Sequence, residues 1–130
     1  MQLSEHFSCK EMACRCQKCN YSTDEGAEKY INRNLIILLE QIRQTFGKPL
    51  IITSGIRCPE HNKAVGGADN STHLRGEAAD IKIDGSVDRY ELVMAAMTKG
   101  CRRIGVYKGQ NIVHVDVSTH GVPQDVLWIH

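Results

Sequence analysis

Three residues carry the clearest chemistry in this chain: His73, Asp80 and His114. Two imidazoles and one carboxylate are the donors a hydrolytic zinc ion takes when its fourth position is left to water. The first two lie in Ser71-Thr72-His73-Leu74-Arg75-Gly76-Glu77-Ala78-Ala79-Asp80, and the third opens His114-Val115-Asp116. Asp80 is flanked by Ala78, Ala79, Ile81 and Ile83, an apolar setting in which an unpaired carboxylate is costly. A cation beside it removes that cost. Gly76, Ala78 and Ala79 are small enough to let the His73 loop fold back against the Asp80 segment.

A second group is made of sulfur. The chain has six cysteines, and Cys9, Cys14, Cys16 and Cys19 crowd its start. Two readings stay open for these four. They hold a structural zinc ion, which favours a closed set of Cys or His ligands, or they are reduced and partly buried thiols. Cys58 and Cys101 stand alone and read as packing residues.

The elements that must position these groups follow from periodicity. Residues 1–23 read as an irregular lead-in. Asp24 is a helix cap, and Glu25 and Glu28 suit the positive end of the helix dipole. Ile31, Leu35, Leu38, Leu39, Ile42 and Phe46 then recur at three- and four-residue steps, one buried helix face that Gly47 and Pro49 terminate. Leu50 to Thr53 reads as a buried strand, 54–72 as a long loop of the kind that usually carries function, and Ala78 to Ile83 as a second strand. A second helix starts at Ser86 or Asp88 and ends at Gly100. Arg103 to Tyr107 and Ile112 to Ser118 form a hairpin across residues 108–111. Along its second arm Val113, Val115 and Val117 share one face while His114, Asp116 and Ser118 share the other, with His114 and Asp116 about 7 Å apart. The expected architecture is one α+β domain over residues 1–130, a small antiparallel sheet with helices packed on one side. Residues 119–130 receive no role.

Composition narrows the function classes. An apolar fraction of 42% and a charged fraction of 24% are those of an ordinary globular domain. Sixteen basic against fifteen acidic residues leave a net charge of +1 with no basic stripe, so no nucleic-acid partner and no membrane insertion are expected. No signal-peptide pattern opens the sequence, so synthesis in the cytoplasm is expected, with delivery to any outside substrate by release or lysis. A monomer is expected.

The residues resemble a known family, the zinc D-alanyl-D-alanine carboxypeptidases and the related L-alanyl-D-glutamate and murein endopeptidases. Its signature S-x-H-x-x-G-x-A-x-D is matched at every fixed position by Ser71, His73, Gly76, Ala78 and Asp80, and its later histidine strand resembles Val113-His114-Val115-Asp116. The segment Ser54-Gly55-Ile56-Arg57-Cys58-Pro59-Glu60-His61-Asn62, with Val65-Gly66-Gly67-Ala68, is similar to the loop before the metal site in small phage-type members. Phe7 to Cys14 is similar to their N-termini. The resemblance implies a Hedgehog-like core and a hydrolase of peptidoglycan stem peptides. His73, Asp80 and His114 would hold Zn2+, Arg57 would stabilise the oxyanion, and Ser71 would hold substrate or cap its loop. Many relatives place an acidic base three residues before the late histidine, where this chain has Asn111. Asp116 is the expected replacement as base, with orientation of a zinc ligand as the alternative; Glu77 is a weaker candidate. Three functions compete: an endolysin-type zinc peptidase, a cell-wall peptide-binding module without turnover, and a cysteine-zinc interaction module at residues 9–19.

Overall fold

Leu35, Leu38, Leu39 and Ile42 are buried along one side of α3 (Arg33–Phe46). Around that helix the chain builds a mixed five-stranded sheet. The computed structural model describes residues 1–130. In chain order the remaining elements are α1 (Cys9–Met12), α2 (Asp24–Tyr30), β1 (Ile51–Ser54), α4 (Pro59–Ala64), β2 (Ala78–Lys82), α5 (Ser86–Thr98), β3 (Arg103–Tyr107), β4 (Ile112–Asp116) and β5 (Val126–Ile129). The core joins Leu35, Leu39, Ile42, Leu92 and Ala96 of α3 and α5 to Ala79, Ile81, Ile104, Val113 and Val115 of the sheet. Helices therefore cover one face of the sheet, and the other face is left for chemistry.

The single helix expected from Asp24 to Phe46 is two helices. Thr23 caps the first, its hydroxyl accepting from the Gly26 amide at 2.9 Å. Asn32 caps the second by accepting from the Asn34 amide at 2.8 Å. Periodicity missed the break because Ile31 and Leu35 keep a four-residue step across it, and both are buried. The lead-in also contains a helix, α1, closed by a reciprocal capping box between Ser8 and Glu11. The long loop after β1 carries α4, which begins at Pro59 with Cys58 as its cap, and a 3-10 turn over Thr72–Arg75.

The sheet order is β1-β2-β4-β3-β5. The first four strands pair antiparallel as expected, but β5 runs parallel to β3, so the sheet is mixed. Residues 119–130 supply that edge strand. Register then aligns the site: Ser54 pairs with Asp80, Asp80 with His114, His114 with Gly105, and Gly105 with Trp128. One row across all five strands thus holds two of the three metal-type residues. Adjacent residues in such a row keep their Cβ atoms about 5 Å apart, close enough for a shared ligand.

Candidate metal centre

His73 reaches the row from outside the sheet. It sits in the 3-10 turn Thr72–Arg75, and Gly76 ends that turn with a left-handed backbone (φ 66°). The chain then turns directly into β2, which brings His73 over Asp80. His73 Nε2 lies 3.2 Å from Asp80 Oδ1, and His114 Nδ1 lies 3.0 Å from the same oxygen. All three side chains are buried, and their ligand atoms lie within 4.8 Å of one another. Tetrahedral zinc with ligands about 2.1 Å away needs donor separations of roughly 3.4 Å, so this triangle fits the ion.

The tautomers fit as well. His73 Nδ1 donates to the Gly55 carbonyl at 2.7 Å, which leaves the Nε2 lone pair facing Asp80. His114 Nε2 donates to Asp116 Oδ2 at 2.7 Å, which leaves its Nδ1 lone pair on the same point. Histidine ligands in metal sites are characteristically fixed this way through their other nitrogen. Two lone pairs and a carboxylate oxygen at such distances repel unless a proton or cation lies between them. Burial disfavours the Asp80 carboxylate, yet its hydrogen bonds to His114 and His73 outweigh burial and hold it well below the usual carboxylate range. Burial likewise disfavours the His114 cation, and Asp116 and Asp80 outweigh it to raise the imidazole pKa. The site is built to hold positive charge.

Around this triangle lies a cleft of about 460 Å³, lined in part by Arg57, Ser71, Tyr107 and Trp128. Arg57 is at the wall, and it is heavily engaged. Its Nη2 donates to Asp80 Oδ2 at 3.1 Å, its Nη1 to Asn62 Oδ1 at 3.2 Å and its Nε to Ser54 Oγ at 3.0 Å. Ser71 borders the cleft, and its hydroxyl caps the 3-10 turn by accepting from the His73 amide at 3.2 Å.

Asp116, the expected base, is set back from the cleft. Strand alternation does put it on the face of His114, but its side chain is fully buried behind that histidine. Oδ2 accepts from His114 and from Thr72 Oγ1, and Oδ1 accepts from Arg103 Nε at 2.7 Å and the Ser118 amide at 3.1 Å. No acceptor direction faces the cleft. Burial would raise its pKa, but the bonds from His114 and Arg103 lower it below the ordinary value. Asp116 thus holds the His114 ring through its Nε2. Glu77 pairs with Arg75 at 2.9 Å and Asn111 is exposed in the hairpin turn with φ 55°; neither lines the cleft.

The sequence reading missed the aromatic wall. Trp128 lies 5.3 Å from the His114 ring, centroid to centroid, and donates from Nε1 to the Tyr107 hydroxyl at 3.1 Å. It can lie there only because position 105 is glycine, where a Cβ would come within 2.5 Å of the indole. Two signals pointed to it: a glycine inside a strand marks close approach, and Val126-Leu127-Trp128-Ile129 is a strand-rich run.

The cysteines also rearrange. Cys9 faces the apolar core and is corrected out of the sulfur set. Its place is taken by Cys58, which reads from sequence as a packing residue. The sulfurs of Cys14, Cys16, Cys19 and Cys58 lie within 4.8 Å of one another.

Against this geometry the comparison with known families is direct. The model of one family, peptidase M15, matches residues 5–116. The chain belongs to the peptidase M15 family. No curated protein sequence matches it. The matched span takes in the Ser71–Asp80 segment, His114 and Asp116, and membership implies a peptidase. M15 metallopeptidases use zinc, and the residues that meet at His73, Asp80 and His114 are chemically suited to it. No helix of this member is long and apolar enough to cross a membrane.

Proposed function

We propose that the chain is a zinc peptidase that hydrolyses peptide bonds in peptidoglycan stem peptides. The observation that carries the reading is a buried two-His, one-carboxylate set opening onto a cleft large enough for a peptide. Asp80 and the two imidazoles would hold a zinc ion, with His73 fixed by the Gly55 carbonyl and His114 by Asp116. The chemistry it would supply is an activated water and polarisation of the scissile carbonyl. Arg57, anchored on Asp80, puts fixed positive charge at the cleft wall, where it stabilises developing negative charge and attracts the carboxylates of acidic, D-alanine-ended stems. Ser71 keeps the His73 turn closed, and its hydroxyl borders the substrate path. Proton transfer falls to His130, which lines the cleft and lies 4.9 Å from the Tyr107 ring, centroid to centroid. The protein acts on the wall after release from the cell that makes it, in the manner of a phage endolysin, and its sheet belongs to the Hedgehog-like type.

Digestion of purified muropeptides, followed by mass spectrometry, tests this and names the bond: D-Ala-D-Ala loss indicates a carboxypeptidase, and stem or cross-link scission an endopeptidase. Chelation and His73→Ala are expected to abolish cleavage, and zinc to restore it only in the wild type. One observation favours a second reading, a wall-peptide-binding module: Asp80 is the only carboxylate lining the cleft. Saturable muropeptide binding with full zinc occupancy and no turnover would select it.

A further inference from the structure

We propose that Cys14, Cys16, Cys19 and Cys58 bind a structural zinc ion that clamps residues 55–58 between the lead-in and the His73–Asp80–His114 centre. Four thiolates around zinc at about 2.3 Å stand roughly 3.8 Å apart. Cys16 and Cys58 sulfurs are 3.9 Å apart, and none of the four is more than 4.8 Å from another. The set is closed: every ligand is sulfur, and no position is left for substrate.

A second observation points to the same ion. Backbone amides are turned onto these sulfurs. The Cys58 amide donates to Cys14 Sγ at 3.4 Å and the His61 amide to Cys58 Sγ at 3.4 Å. A neutral thiol is a weak acceptor, whereas a thiolate rewards such donors. Four thiolates so close together repel, and a dication neutralises part of that charge. All-sulfur tetrahedral sets suit zinc or iron; zinc is the redox-inert choice for a clamp.

The consequence reaches the other metal site through four consecutive residues. Gly55 accepts from His73 Nδ1, and Arg57 grips Asp80 while its amide donates to the His73 carbonyl at 3.1 Å. Between and after them, the Ile56 amide donates to the Met12 carbonyl at 2.9 Å, and Cys58 joins the sulfur set. Alternate residues thus face the lead-in and the histidine centre. Gly55 packs so closely on α1 that a Cβ there would come within 2.6 Å of the Met12 carbonyl. The sulfur site fixes the far end of this segment, and His73 and Asp80 inherit its position.

Metal analysis of the whole protein purified without chelator tests the inference. Two zinc ions per chain are expected in the wild type, one in His73→Ala and one in Cys16→Ser/Cys19→Ser, while Cys9→Ala keeps both. Zinc left in the cysteine double variant should be held at the histidine centre about 10- to 100-fold more weakly, the usual cost of losing outer support. If that variant does not fold, cobalt-substituted wild type gives the answer by intense thiolate-to-cobalt charge-transfer absorption. Iron in place of zinc, or native protein in which the four thiols react freely with a thiol reagent at unchanged zinc content, would overturn the proposal. Neither result touches hydrolysis at the histidine centre, which is read separately from His73→Ala.

Discussion

The molecule gathers ligands in two places, and it does so by opposite means. At the histidine centre, Asp80 and His114 are neighbours in a sheet row, and only His73 comes from a turn. The ligands are few, mixed in type, and backed by Gly55, Asp116 and Arg57. The sulfur cluster draws all four members from the irregular lead-in and the cap of α4. It has no sheet to hold it and needs its own cross-link. Rigidity that comes from the scaffold permits an open coordination position, whereas ligands on loops must close around the ion to be held at all. The first arrangement suits reaction and the second suits fastening.

Three experiments sharpen or break that contrast, the largest effect first. His130→Ala is expected to lower kcat about 10²- to 10⁴-fold, the range for a lost acid-base group, with both zinc ions retained. Unchanged kcat would move proton transfer elsewhere in the cleft. Asp116→Asn should weaken zinc at the histidine centre about 10- to 100-fold and leave the sulfur site full. Wild-type zinc affinity with lost turnover would instead return Asp116 to the role of base.

The smallest effect is in protons. Burial pushes the Cys14 thiol up to about 12 and raises Cys58, so both are protonated near neutrality and must each release a proton to bind metal. Hydrogen bonds, that of Ser22 foremost, lower Cys16 to about 6, so it is already ionised. At the histidine centre Asp80 is ionised, and His114, which burial pushes down and its bonds to Asp116 and Asp80 push up further, is the one ligand whose pKa is raised. Zinc affinity therefore falls with pH at both sites, and more steeply at the sulfur site. Calorimetric titration of zinc into the two single-site variants, in buffers of different ionisation enthalpy, is expected to show greater proton release in His73→Ala than in Cys16→Ser/Cys19→Ser. Equal release would remove the distinction.

Much of the histidine centre was legible before the fold. The Ser71–Asp80 spacing, the alternation of Val113-His114-Val115 and the cost of an apolar-flanked Asp80 all point to one place. Alternation could not show that Asp116 turns behind His114, because that depends on Arg103 and Ser118 from outside the pair. Cys9 and Cys58 exchanged places for a related reason. Nearness in sequence favoured Cys9, but the α1 helix carries it into the core while the β1–α4 loop delivers Cys58 from far along the chain.

The sequence by itself determined the ligand types, the strand that carries His114 and Asp116, and the helical face buried on the sheet. These are local matters of spacing, side-chain chemistry and the period of each element. Tertiary structure alone decided the row from Ser54 to Trp128, the closed sulfur set and the full engagement of Asp116. Each of those depends on register and chain crossing between segments distant in sequence, and such pairings are set by the packing of the whole core.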